Sequence, residues 1–105
     1  MEQFDLYVNP VDAARGTYPY VVVMQADVTG GAGGSRLVAP VVRLSKFSPP
    51  STRVLPIVSL DSQRFVVVTP ALESFPVTEL RDHVGTVSHF RDDLLNAIDF
   101  LFFGS

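Results

Sequence analysis

Residues 88–105 read SHFRDDLLNAIDFLFFGS, and the rest of the chain is best understood outward from them. Phe90, Leu94, Ala97, Ile98 and Leu101 recur at steps of three and four, so one face is apolar at helical spacing and a helix is expected over residues 88–103. Ser88 stands where a hydroxyl can cap the first turn, and Asp92 and Asp93 put negative charge at the end of the helix that favours it. Gly104 marks the stop. Phe102 and Phe103 then occupy the last turn about 100° apart, so one ring is expected to pack and the other to project.

Upstream the pattern is that of strands. Gln3 to Val8 alternates Phe4, Leu6 and Val8 with Gln3, Asp5 and Tyr7, as a strand with one buried face does. Tyr18 to Gln25 (YPYVVVMQ) is apolar on both faces and reads as a central or interface strand. Leu37 to Leu44 is similar, although Pro40 removes a ladder donor and suggests an edge or a bulge. Val54–Leu60 and Arg64–Thr69 flank Asp61-Ser62-Gln63, a short polar link suited to a hairpin. Five β-segments therefore precede residue 71, and the expectation is a single domain over 1–105: β-structure to about residue 87, then the helix. TGGAGGSR (Thr29 to Arg36) lacks both the Lys-Ser/Thr of a P-loop and the GxGxxG spacing, and reads as a hairpin loop. KFSPPSTR (Lys46 to Arg53) is a loop stiffened by Pro49 and Pro50.

Composition narrows the function. Hydrophobic residues make up 47% and charged residues 18% of the 105, which is a globular balance with more apolar surface than a small monomer covers easily, so a homodimer is expected. A net charge of −3 gives no general affinity for nucleic acid. Without cysteine there is no disulfide framework, thiolate nucleophile or thiolate metal site. The opening Met-Glu-Gln-Phe-Asp lacks the basic segment and apolar run of a secretory signal, and no stretch approaches the roughly 20 apolar residues of a membrane span, so a cytosolic protein is expected.

Candidate chemistry is sparse. His89 and Asp93 are four apart on the expected helix and could share a face as metal ligands do, but a third ligand is not evident, so no metal or other cofactor is expected. Charge is distributed unevenly: no acidic residue stands between Asp27 and Asp61, where Arg36, Arg43, Lys46 and Arg53 all fall. Beyond residue 70 the balance reverses. This basic island is either ordinary solvated loop or a docking surface for an acidic partner segment.

Taken in order, VVVMQADV, LPIVSLD, FVVVTP, FPV and the ending SHFRDDLLNAIDFLFFGS resemble the CcdB family over nearly the whole chain. The resemblance implies a small SH3-like barrel of the CcdB/Kid/MazF type with a C-terminal helix, forming a homodimer. Such proteins are not enzymes: they bind the DNA gyrase A subunit and trap gyrase on cleaved DNA. A CcdA-like antitoxin neutralises them through a disordered, acidic-leaning tail and carries the DNA contact when the pair represses its own operon. CcdB ends in Trp-Gly-Ile, whose Trp stacks on a gyrase arginine, and the matching positions here are Phe103, Gly104 and Ser105. Phe102, Asp99, Val28 and Thr29 complete the gyrase-binding set that the resemblance implies, with Asp99 standing where the family has Asn. Arg43, Lys46, Arg36 and Arg53 are the residues assigned to the antitoxin.

Two alternatives remain at this point. A Kid/MazF-like endoribonuclease would need acid, base and cation around a phosphodiester, for which His83, His89, Arg81 and Arg91 are available. A plain dimeric module without toxicity would instead bury Phe103 between protomers.

Overall fold

The computed structural model describes residues 1–26, 34–47 and 53–104. Its elements are β1 (Asp5–Val8), β2 (Tyr20–Val23), β3 (Ser35–Arg43), β4 (Ile57–Leu60), β5 (Gln63–Val67), β6 (Glu73–Pro76), β7 (His83–Thr86) and α1 (Arg91–Phe103). All the pairings are antiparallel, and the strands follow the order β4-β5-β3-β2-β1-β7, with β6 branching onto β3. The mainly β architecture with one C-terminal helix is thus as expected. The Thr29–Arg36 loop, apart from its last residues, and the Pro49-Pro50 loop lie outside the described residues.

The sheet carries a core on each face. Phe4, Leu6, Val22, Ala39, Val41, Val58, Phe65, Val67 and Leu94 form the larger one, beneath α1, while Tyr7, Val21, Val23, Val38, Phe75 and Leu80 form the smaller. This explains why β2 is apolar on successive residues: Val22 faces one core and Val21 and Val23 the other. It also corrects the reading of β1. Both Leu6 and Tyr7 are buried, Val8 only partly, and Phe4 precedes the strand with a φ of 72°, so the one-faced alternation does not hold.

Pro40 lies inside the sheet rather than at an edge. The first half of β3 pairs with β6 and the second half with β5, and Pro40 sits where the partner changes. Its carbonyl accepts from Val68 N–H on that side, so its missing N–H falls at the same changeover and costs no ladder bond. The two strands not foreseen, β6 (ESFP) and β7 (HVGT), are four residues each and broken by Pro76 and Gly85. The β4–β5 loop is two residues, Asp61 and Ser62, both at positive φ (51° and 68°), as in a type I′ turn.

The ends of the strand order meet across the larger core. A Cβ at Gly85 in β7 would sit 3.0 Å from Leu60 Cδ1 in β4, so the sheet curls on itself as a half-barrel, and a small residue at 85 leaves room for Leu60. Leu94, with no exposed surface, plugs α1 into this interior beside Phe90, Leu95 and Ile98. Burying such a side chain contributes about 1.5–3 kcal/mol.

Candidate functional site

The site is built by the end of α1. A 3-10 turn over Ser88–Phe90 precedes the helix, which begins at Arg91 rather than at Ser88. No side chain caps it; Ser88 instead donates its N–H to Thr86 Oγ1 at 3.2 Å. Asp92 and Asp93 do occupy the first turn. Leu94 and Ala97 are fully buried, and Leu101 continues their line toward the sheet, half-buried.

Phe102 and Phe103 therefore lie about 100° and 200° round the helix from that line. They are 62% and 77% exposed. Both rings project, whereas one was expected to pack: Leu101 takes the core-facing place in the last turn and leaves none for either phenylalanine. Gly104 ends the helix in the left-handed region, φ 70°, and its N–H donates to Phe100 O at 2.9 Å. Asp99, exposed, shares the outward side with Phe103 one turn away. The described tip thus combines two solvent-facing aromatic rings and a carboxylate. Ser105, Val28 and Thr29 lie outside the described residues.

One contact near the tip had no sequence signal. The Arg53 guanidinium stacks over the Phe100 ring, 4.8 Å from its centroid. A cation and a ring 47 positions apart make no local pattern, and only the fold brings them together.

The basic island does not form one surface. Arg43 joins Leu44, Ser45, Gln63 and Arg64 around an open cleft of about 380 Å³, with exposed Lys46 just beyond β3. Arg36, seven residues back along β3 and so about 23 Å away, is buried and donates to Ser35 O at 2.9 Å. Arg53 belongs to the helix tip. The first cleft brings two cationic side chains together, Arg43 and Arg64.

The residues considered for catalysis are dispersed among structural contacts. His83 Nε2 lies 3.4 Å from Asp5 Oδ2, and its ring meets Tyr7 edge-on at 5.3 Å. Burial, reinforced by the Asp5 carboxylate, holds the Tyr7 phenol above its ordinary value of 10.0. Arg81 Nε donates to Thr78 O at 2.9 Å, and Arg91 reaches Gln3 Oε1 at 3.2 Å and lies over the Phe4 ring. Among the described residues no three His, Asp or Glu side chains gather as a metal ion would require, His89 and Asp93 included.

A half-barrel of short antiparallel strands, closed by one helix whose aromatic tip faces solvent, defines a small β-domain of the CcdB fold. The family model described as CcdB protein matches residues 3–104, and the chain belongs to the CcdB family. Membership places it among the toxins of toxin–antitoxin pairs, with an antitoxin as its kind of partner. No helix among the described residues is long and apolar enough to cross a membrane.

Proposed function

We propose that this chain is a cytoplasmic, non-enzymatic gyrase poison that docks its helix tip on the DNA gyrase A subunit and traps the enzyme on cleaved DNA. The observation that carries the reading is the joint exposure of Phe102 and Phe103 at the end of a helix whose other apolar side chains turn inward. Rings held free of a protein's own core are expensive unless a partner covers them. Phe103 offers a π face to a partner arginine, and Asp99 offers a carboxylate on the same side. The protein acts as a homodimer, for which exposed Leu37, Ile57 and Val11 supply further apolar surface. A CcdA-like antitoxin lays an acidic segment on the cleft at Arg43, close to Lys46, and carries any DNA contact itself.

Calorimetric titration into the isolated gyrase A subunit tests the tip. Aromatic anchors of this kind carry about 2 kcal/mol or more, so Phe103→Ala should weaken binding by roughly 30-fold or more with the circular dichroism unchanged. Equal affinity of the variant and the parent would remove the tip from the interface.

A further inference from the structure

The last turn of α1 has little of its own to hold it. Phe102 and Phe103 are uncovered, and the turn contains no basic residue to complement the carbonyl end of the helix. Helix ends in this condition fray. The missing cation comes from another part of the chain: the Arg53 guanidinium lies over Phe100, whose carbonyl also accepts the closing bond from Gly104.

Arg53 is well placed to act as a fixed point. The segment that follows it is tied to the sheet, because Thr69 Oγ1 donates to Val54 O and Val67 N–H donates to Pro56 O at 2.9 Å. Arg53, Pro56 and Ile57 form one wall of a cleft whose other wall is Asp93 and Asn96 of α1. Positions 93, 96, 100 and 103 fall within about a quarter turn of one another on the helix. The flank that Arg53 grips is thus the one that ends at Phe103.

We infer that Arg53 is a positioning residue for the aromatic tip: its guanidinium, stacked on Phe100, clamps the last turn of α1 to the sheet and so fixes the direction in which Phe103 is presented. The inference rests on the proposed role of the tip, but the clamp itself can be read in the free protein. Hydrogen exchange of the Leu101–Gly104 amides would be followed in the parent, Arg53→Met and Arg53→Lys proteins, and on a Phe100→Leu background. Loss of the stacked cation should speed exchange there about five-fold in Arg53→Met, with Arg53→Lys close to the parent and Arg53→Met adding nothing once Phe100 is Leu. Affinity for gyrase A should fall by a similar factor. Unchanged exchange in Arg53→Met, or the same acceleration with and without the Phe100 ring, would overturn the clamp. Faster exchange in a protein that binds no gyrase would uphold the clamp and defeat the proposed target instead.

Discussion

Gly104 and Phe103 carry the functional account at the scale of single residues. The left-handed conformation of Gly104 closes the helix after Phe103, whose ring, at 77% exposure, is the most exposed large apolar side chain among the described residues. The apolar spacing of residues 88–101 is enough to expect a projecting ring here, because helix geometry separates neighbours by about 100° whatever the rest of the fold does. It is not enough to show that Phe102 projects too, which depends on Leu101 filling the core-facing place. Arg53 stacking on Phe100 was equally out of reach, being a contact that only tertiary structure creates. Tyr7 yields a prediction at this scale. Its phenol is held above 10.0 in the folded chain, so the neutral form is favoured by folding. That contribution is complete below the ordinary value and is lost as pH rises through the folded one. Urea midpoints should therefore fall as pH climbs above about 10, and less steeply in Tyr7→Phe; identical alkaline profiles for the two proteins would refute the assignment.

Among the elements, the long periodic segments were legible and the short ones were not. β2 and β3 announce themselves by runs of valine, and α1 by its three- and four-residue steps. β6 and β7 have neither length nor alternation, and exist because β3 and β1 offer them ladder partners. β1 misled for a different reason: alternation reports one buried face, and this sheet has two. The β4–β5 hairpin is where local sequence and local structure disagree most. Asp61 and Ser62 both hold positive φ, which Asn and Gly tolerate better. Replacing them together, Asp61→Asn with Ser62→Gly, should stabilise the domain by about 1 kcal/mol and raise the melting temperature by roughly 4–8 °C. A lower melting temperature would show that these side chains do more for the turn than its backbone suggests.

For the molecule as a whole, the half-barrel explains why the tip is free to bind. Leu60 against Gly85 brings the two ends of the strand order together, Leu94 fills the space between, and α1 runs on past this core with its last two aromatic rings in solvent. The proposed dimer leaves that tip uncovered, so sedimentation should give twice 11.5 kDa for both the parent and Phe103→Ala. A monomeric Phe103→Ala would instead place Phe103 between protomers, as a plain dimeric module requires. The most direct test of the central claim is a gyrase reaction on supercoiled plasmid with ATP, in which cleaved DNA is released by detergent and protease after the purified protein is added. Linear DNA is expected with the parent protein and none with Phe103→Ala. An absence of linear DNA with the parent protein, or its persistence with Phe103→Ala, would contradict the claim that this helix tip poisons gyrase.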